Sequence, residues 1–433
     1  MKKKVALHNL GCKVNAYEVE AMQQLLENAG YETVPFEEGA DVYVINTCTV
    51  TNIADRKSRQ MLHKAKKMNP DAIVVATGCY AQADTEKLKE DTAVDLILGN
   101  NQKTQIVEAL EEYEKEHAKQ VQVIEINHTK EYEELSISST AEHVRAYIKV
   151  QDGCNQFCTY CIIPFARGRV RSRKIEEVLS EVETLAAKGY KEVVLTGIHL
   201  SSYGVDFPKE ERESLLSLIQ AVSRVEGISR IRLGSLEPRI ITEEFLEGIV
   251  KTGKVCPHFH LSLQSGCNKT LKNMNRRYSA QEYAEKCELI RKFYPAPALT
   301  TDVIVGFPQE TEEDFEESYE FVKKIHFYET HIFKYSRREG TKAAAMKDQV
   351  PDQIKAARSA ELLELNRKKQ AVYEERLLGT TQEVLIEEKI VRDGEELQIG
   401  HTKEYVKIGV KNPNNLINQL VNVEIENQLQ ILH

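Results

Sequence analysis

The chain has 433 residues, of which 41% are hydrophobic and 29% charged, and its formal net charge is −9 at pH 7. This is more chain than one ordinary hydrophobic core needs, so two or three globular domains are expected. The composition and the acidic balance exclude a fibrous, disordered or uniformly basic nucleic-acid-binding protein, but they leave room for local basic patches.

Apolar patterning and cysteine content indicate the compartment. No apolar run reaches membrane-spanning length, and Met1-Lys2-Lys3-Lys4 leads into a strand pattern and not into a signal-peptide core. Nine cysteines in such a chain do not indicate a disulfide framework, whereas thiols held as metal ligands fit a reducing compartment. We expect a cytoplasmic protein without membrane association.

Residues 1–118 alternate strand and helix patterns, which predicts an α/β domain with a parallel sheet and right-handed crossovers. The predicted strands are 5–10, 42–45, 73–77 and 94–98, and the predicted helices are 16–29, 54–68 and 102–116. Residues 119–143 are rich in Glu, Lys, Ser and Thr, which favours a linker that ends in a hairpin.

Three cysteines each follow one of these strands: Cys12, Cys48 and Cys79. The C-terminal ends of parallel strands share one edge of a sheet, so the three thiols are expected to converge. Gly11 and Gly78 allow the close backbone approach that a metal cluster needs. The alternative is three small buried side chains, since free cysteine is commonly buried. The shared register favours a metal-cluster site with three protein ligands.

A second cysteine triad follows the strand predicted at 145–150. Cys154, Cys158 and Cys161 form Cys-x-x-x-Cys-x-x-Cys, with Tyr160 before the last cysteine. Structural zinc usually takes four protein ligands. Three thiolates on a 4Fe–4S cube leave one iron open for a small molecule. The spacing therefore favours an iron–sulfur cluster over a zinc knuckle or unrelated thiols.

The region 144–350 continues as a strand–helix series that falls short of an eight-fold barrel, so an open partial (β/α)6 barrel is predicted. The predicted strands are 145–150, 192–195, 230–233, 258–263, 299–305 and 330–335, and the predicted helices are 175–187, 213–225, 243–251, 280–293 and 312–325. Barrel enzymes carry their chemistry on C-terminal strand ends. The candidate groups there are Gly197, Ser235, Glu237 and Gln264, for which ordinary turn chemistry is the alternative.

Basic residues cluster beside both triads. Arg167, Arg169, Arg171 and Arg173 follow the Cys154 loop, and six more lie on the helix after Cys48: Arg56, Lys57, Arg59, Lys64, Lys66 and Lys67. Such stretches can clamp a phosphate backbone near a reaction centre. A solvated helix face is the alternative.

The C-terminal part begins with a charged connecting helix at 351–378, and 379–433 reads as short strands at 383–388, 395–400, 405–410 and 420–425. Four or five strands in so short a stretch predict a small all-β barrel. From Ala371 to His433 there are 6 Lys and Arg against 11 Asp and Glu. This module is therefore net acidic, and its bulk charge would not attract a nucleic acid.

Four segments together resemble the radical-SAM (S-adenosylmethionine) methylthiotransferase family: Asn9–Asn15, Asn46–Asn52, Thr77–Gln82 and Cys154–Arg173. They look most like the subgroup that thiomethylates threonylcarbamoyladenosine in tRNA, and the resemblance spans nearly the whole chain. It implies two 4Fe–4S clusters, a radical-SAM cluster on Cys154, Cys158 and Cys161 and an auxiliary one on Cys12, Cys48 and Cys79.

The resemblance also implies the cofactor and RNA sites. SAM chelates the open iron of the radical-SAM cluster. Gly197 is expected near the methionine part of SAM, Ser235 and Glu237 near its ribose, and Tyr160 and Gln264 in the same pocket. The arginines at 167, 169, 171 and 173 are expected to contact tRNA. Residues 379–433 resemble a TRAM domain, an OB-like RNA-binding module.

The implied reaction uses SAM in two roles. A reducing protein such as a flavodoxin or ferredoxin supplies an electron, SAM is cleaved to methionine and a 5′-deoxyadenosyl radical, and the radical removes hydrogen from C2 of the adenine. A methylated sulfur held at the auxiliary cluster then adds to that carbon, and a second SAM supplies the methyl group.

Other functions stay open at this point. The same chemistry serves isopentenyladenosine in tRNA and a ribosomal-protein aspartate. A cobalamin-dependent radical methylase also has an α/β domain before its barrel, but the Asp-x-His-x-x-Gly motif is not found in the N-terminal region. A non-enzymatic zinc- and RNA-binding protein is the alternative from another class.

Overall fold

The computed structural model describes residues 2–140, 144–211, 213–392 and 394–432. The N-terminal sheet is parallel throughout, with the order β2-β1-β3-β4-β5-β6. Its strands are β1 (Lys4–Asn9), β2 (Glu32–Thr33), β3 (Val42–Thr47), β4 (Ile73–Gly78), β5 (Leu96–Leu98) and β6 (Gln120–Gln122). Its helices are α1 (Lys13–Asn28), α2 (Asn52–Met68), α3 (Cys79–Ala83), α4 (Thr85–Glu90) and α5 (Ile106–Glu116).

The central strands of this sheet are apolar because both faces are covered. Every residue of β3 is buried, as expected of a parallel strand between helix layers. The β6 strand lies inside the stretch predicted as a linker, and it pairs in parallel with β5. Its sequence, Gln-Val-Gln, carries no apolar pattern, because an edge strand needs only its backbone to join a sheet. The predicted hairpin is not formed by residues 119–140, and the rest of that stretch, 141–143, lies outside the described residues.

The central region forms the predicted partial barrel. Its strands are β7 (Arg145–Asp152), β8 (Arg171–Ser172), β9 (Glu192–Gly197), β10 (Arg230–Leu233), β11 (His258–His260), β12 (Ala298–Val305) and β13 (Glu329–Lys334). They pair as β10-β9-β7-β8 and β11-β12-β13, and a parallel bridge between Leu236 and Leu261 joins the two groups. Only β8 is antiparallel, so the described residues give six parallel strands, as predicted.

A short helix, α6 (Ile163–Arg167), follows the second cysteine triad. Longer helices cover the outside of the barrel: α7 (Ile175–Ala187), α8 (Leu215–Ser223), α9 (Glu243–Val250), α10 (Asn268–Asn273), α11 (Ala280–Phe293), α12 (Glu312–Ile325) and α13 (Asp352–Glu375). The largest apolar core lies between them and the strands, and it includes Tyr17 and Ala21 of α1. The N-terminal sheet is thereby packed onto the barrel. In the described ranges, no helix has both the length and the apolar content of a membrane span.

The C-terminal strands form an antiparallel sheet with the order β17-β14-β15-β16-β18. They are β14 (Thr381–Arg392), β15 (Glu395–His401), β16 (Lys407–Val410), β17 (Leu420–Glu424) and β18 (Ile431–Leu432). This module closes the N-terminal end of the barrel through buried charges. Arg230 Nη2 lies 3.0 Å from Glu383 Oε1, and Arg232 Nη1 donates to the Lys403 carbonyl at 2.9 Å. The module is therefore part of the barrel's structure.

Tyr405 is the centre of this closure. Its ring stacks on His258 at 5.1 Å and lies under the guanidinium groups of Arg145 and Arg232, at 4.9 and 4.7 Å from ring centroid to Cζ. Tyr405→Ala removes two desolvated cation–π contacts and a stacked ring, so we expect a loss of about 2 kcal/mol in the free energy of unfolding. Urea denaturation measures it. Leu429→Ala is the matched control, because Leu429 is 83% exposed in the same module; equal stability of the two variants would contradict the closure.

Candidate active site

The first cysteine triad lies at one edge of the N-terminal sheet. Asn9 pairs with Asn46 and Thr47 pairs with Gly78, so β1, β3 and β4 end at the same level. Cys12, Cys48 and Cys79 follow these ends, as the sequence predicts. Side-chain amides tie the loops together: Asn15 Nδ2 donates to the carbonyls of Leu10 at 2.9 Å and Thr47 at 3.1 Å.

The three thiols of this triad differ in exposure. Cys12 is exposed, Cys48 half-buried and Cys79 buried. Burial raises the pKa of Cys48 to about 12. At Cys79, by contrast, two N–H groups point at the sulfur, from Arg167 Nε at 3.1 Å and from Asn100 Nδ2 at 3.7 Å. Donors aimed at sulfur stabilise the thiolate form that a metal requires.

The second triad lies on a loop fixed at both ends. Gly153, at φ 70°, allows the chain to leave β7, and a Cβ there would meet the carbonyl oxygen of Arg169 at 1.8 Å. The Cys154 amide donates to the Gly168 carbonyl at 3.0 Å. On the other side, the Thr159 amide donates to the Met274 carbonyl at 3.1 Å. The loop is therefore preformed.

All three thiols of this loop are half-buried. Burial raises the pKa of Cys154 to about 11 and that of Cys161 to about 12. Arg276 Nη1 donates to Cys158 Sγ at 3.2 Å, so a guanidinium faces this sulfur as Arg167 faces that of Cys79. Arg276 was missed by sequence reasoning, because no spacing relates it to the cysteines.

The ligand atoms of a single-ion site must lie closer together than the three sulfur atoms of either triad do. In the described part of the chain, the one group of His, Cys, Asp or Glu ligand atoms lying within 4.8 Å of one another is His260, Asp302 and His331. Both ring nitrogens of His260 already have partners, Thr300 Oγ1 at 3.0 Å and Asp302 Oδ2 at 3.2 Å. The wider spread of the thiols fits a multi-iron cluster, whose ligands bind different metal atoms, better than it fits zinc.

The five residues predicted for SAM all lie at or beside the C-terminal strand ends of the barrel. Gly197 ends β9, and Ser235 and Glu237 follow β10. Gln264, in the left-handed region at φ 73°, continues the ladder by bridging to Val303. The Tyr160 ring meets Phe307 edge-on at 6.4 Å. Ser235 is exposed, whereas Glu237 is buried with Arg239 Nε at 2.7 Å from its carboxylate.

Gln151 and His199 were not predicted. Gln151 Oε1 accepts the His199 amide at 2.7 Å, and Nε2 of the same side chain donates to the Gly153 carbonyl at 2.7 Å. A Cβ at Gly197 would come within 2.8 Å of Gln151 Oε1, so this position has no room for a side chain. Burial, then the charges of Arg276 and Arg239, lower the pKa of His199 to about 4. Its imidazole is neutral at neutral pH.

The prediction that four arginines after the second triad contact RNA needs correction. Arg167 and Arg171 are fully buried, and Arg173 is 5% exposed. Arg173 pairs with Glu181, and Arg171 Nη2 lies 3.7 Å from Asp152. Side chains held in this way cannot reach a phosphate backbone. Arg169 is exposed, with its guanidinium 4.5 Å from the Phe157 ring centroid, and it alone of the four suits RNA contact.

Direct contacts join the two segments that carry the triads. The α6 helix, just after Cys161, contacts α3, which begins at Cys79. Asn100 Nδ2 donates to the Ala166 carbonyl at 2.7 Å, and Arg167 reaches Cys79. Two three-thiolate donor sets therefore lie on adjoining segments of the N-terminal sheet domain and the barrel.

Comparison with protein families supports the class that this architecture indicates. The Radical SAM superfamily model matches residues 148–322, and the model described as Uncharacterized protein family UPF0004 matches 4–99. The solved structure of TsrM from Kitasatospora setae, a radical S-adenosylmethionine methyltransferase with cobalamin and a [4Fe-4S] cluster bound, superposes with a TM-score of 0.56. It covers 79% of this chain and 77% of that chain at 16% identity, so the likeness concerns the fold. The barrel is that of a radical-SAM enzyme.

Relatives of known activity identify the family. The Threonylcarbamoyladenosine tRNA methylthiotransferase MtaB of Bacillus subtilis (strain 168) is 43% identical over 422 residues, which is 97% of this chain and 93% of the relative. MtaB of Aquifex aeolicus (strain VF5) is 46% identical over 89% of this chain and 93% of the relative. A tRNA-2-methylthio-N(6)-dimethylallyladenosine synthase of Carboxydothermus hydrogenoformans is 35% identical over 96% and 94%. The chain belongs to the radical-SAM methylthiotransferase family and is MtaB-like. It is an enzyme of that family, with SAM and 4Fe–4S clusters as its cofactors.

Proposed function

We propose that the chain modifies tRNA by replacing the C2 hydrogen of N6-threonylcarbamoyladenosine, beside the anticodon, with a methylthio group. The single observation that carries this proposal is the pair of cysteine triads at facing strand ends, linked by Arg167 and Cys79 at 3.1 Å. One site is needed to generate a radical and another to supply sulfur, and the two triads provide a separate set of thiolate ligands for each. The names of the relatives with 43% and 46% identity supply the substrate.

Each triad has a defined role in this proposal. Cys154, Cys158 and Cys161 hold the cluster that binds SAM, and Cys12, Cys48 and Cys79 hold the auxiliary cluster. When bound, these groups supply a carbon-centred radical derived from SAM and an activated sulfur. The protein holds the thiolates, through Arg276 at Cys158 and through Arg167 and Asn100 at Cys79.

Residues at the barrel strand ends position SAM. Because Gly197 has no side chain, its backbone is accessible to the methionine part of SAM. Gln151 holds that backbone against the Cys154 loop. The buried Glu237 carboxylate, held by Arg239, can accept hydrogen bonds from both ribose hydroxyls. His199 Nε2 is buried and has no partner in the described residues, so a bound ligand can satisfy it.

Exposed cations near the Cys48 loop suit the phosphates of an unpaired RNA loop. Arg56, Lys57, Arg59, Lys64 and Lys67 are exposed on α2, and Arg169 lies on the Cys154 loop side. Enzymes that reach a base edge in RNA use single-stranded loops, where the base can be splayed out. Phosphate contacts would then fix the register of the RNA while the base enters between the two triads.

The test compares three forms of one tRNA, unmodified, threonylcarbamoylated and isopentenylated, incubated anaerobically with the reconstituted enzyme, SAM and a chemical reductant. Mass spectrometry of digested nucleosides should detect the methylthio product from the threonylcarbamoylated form. Arg169→Gln, which removes the exposed arginine beside the Cys154 loop, should reduce that yield, and Lys251→Gln, a surface lysine just after α9, should not. Equal yields from all three RNAs, or product from the isopentenylated form alone, would refute the substrate assignment.

A further inference from the structure

We propose that Arg167 is a positioning residue for the auxiliary cluster: it fixes one N–H on the Cys79 sulfur and raises the cluster's reduction potential. This inference rests on the proposed function, because it requires a cluster on Cys12, Cys48 and Cys79. It makes the auxiliary site depend on a side chain delivered by the radical-SAM loop itself.

The guanidinium of Arg167 is held on every side. Its Nη1 and Nη2 donate to the two carboxylate oxygens of Glu18 at 2.8 and 3.0 Å. Nη2 also donates to Asn15 Oδ1 at 2.9 Å, and Nη1 to Asp152 at 3.2 Å. Because both terminal nitrogens of the planar guanidinium are fixed, the Nε–H group can point in only one direction. It points at Cys79 Sγ, 3.1 Å from Nε.

The partners of Arg167 come from both halves of the protein. Glu18 and Asn15 lie on α1, whereas Asp152 ends β7. Arg167 itself is the last residue of α6, six positions after Cys161 in the chain. The hydrogen bond to Cys79 therefore forms only when the N-terminal sheet is docked on the barrel.

The charges around Arg167 do not cancel within the protein. In the described part of the chain, this buried network holds four cations, Lys103, Lys149, Arg167 and Arg171, and three carboxylates, Glu18, Glu133 and Asp152. One positive charge is left over, at the wall that carries Cys79. A buried charge without a counter-charge is costly, and three thiolates on an iron–sulfur cube supply a net negative one.

Both effects favour the more reduced cluster. Reduction adds negative charge, which a neighbouring guanidinium stabilises, and hydrogen bonds to ligand sulfur raise iron–sulfur reduction potentials. Removing the N–H and the charge should therefore make the auxiliary cluster harder to reduce.

The experiment isolates the auxiliary cluster in the full-length chain. A background variant with Cys154, Cys158 and Cys161 all changed to Ala is reconstituted with iron and sulfide, and the potential is read by electron paramagnetic resonance during a redox titration. On this background, Arg167→Gln should shift the potential to lower values. Arg167→Lys, which keeps the positive charge but loses the planar guanidinium, should lower the potential less. Lys174→Gln, an exposed cation of the same segment, is the matched control and should leave it unchanged.

An unchanged potential in Arg167→Gln would overturn the proposal. If that variant takes up no iron, Arg167→Lys decides, since it keeps the buried positive charge: a lower potential supports the role, and a wild-type potential overturns it. Absence of iron in the background variant itself would instead refute the auxiliary cluster, and with it that part of the proposed function.

Discussion

Cys158→Ala is expected to reduce 5′-deoxyadenosine formation from SAM to background. Cys158 lies in the middle of a preformed loop and is the thiol to which Arg276 donates at 3.2 Å. With two protein ligands left, the cluster that binds SAM loses its anchor and no electron reaches the sulfonium. Chromatography of anaerobic reactions with a chemical reductant measures the product.

The control for this variant is Cys287→Ala. Cys287 is a buried thiol on α11, among the apolar core residues of the barrel, and we expect it to have a structural role only. Wild-type 5′-deoxyadenosine formation by Cys158→Ala would contradict the assignment of the loop.

Cys48→Ala is expected to separate the two halves of the reaction. SAM cleavage should continue, because the Cys154 loop is held by the backbone near Gly168 and Met274 and not by Cys48. No methylthio nucleoside should form, because the N-terminal triad would be left with two thiols, Cys12 and Cys79. Both products are measured in the same reaction mixture. Full methylthio product from Cys48→Ala would exclude the N-terminal triad as the sulfur site.

The fold and both triads could be predicted because their signals are local. Buried parallel strands such as Val42–Thr47 are continuous apolar runs, and a cysteine directly after such a run lies at the sheet edge by geometry alone. Three such cysteines in parallel strands must then lie near one another. The loop from Cys154 to Cys161 is shorter still, and its spacing is sufficient to predict a three-ligand site.

The buried arginines could not be predicted because their partners are distant in sequence. The position of the arginines at 167, 169, 171 and 173, directly after the Cys154 loop, suggested contacts with a phosphate backbone. In the structure, Arg167 pairs with Glu18, 149 residues away, and the short antiparallel β8 turns Arg171 inward. A charged side chain is buried when a counter-charge is available, and no local pattern shows which distant carboxylate will provide it. Arg276 and Gln151 were missed for the same reason.

Iron and acid-labile sulfide counts on the anaerobically reconstituted protein test the central claim most directly. Two cubes predict about eight irons and about eight sulfides per chain, and about four of each when either triad is changed to Ala throughout. The result that would contradict the account is zinc in place of iron at either triad, or an iron count that stays at the full value when Cys12, Cys48 and Cys79 are all replaced.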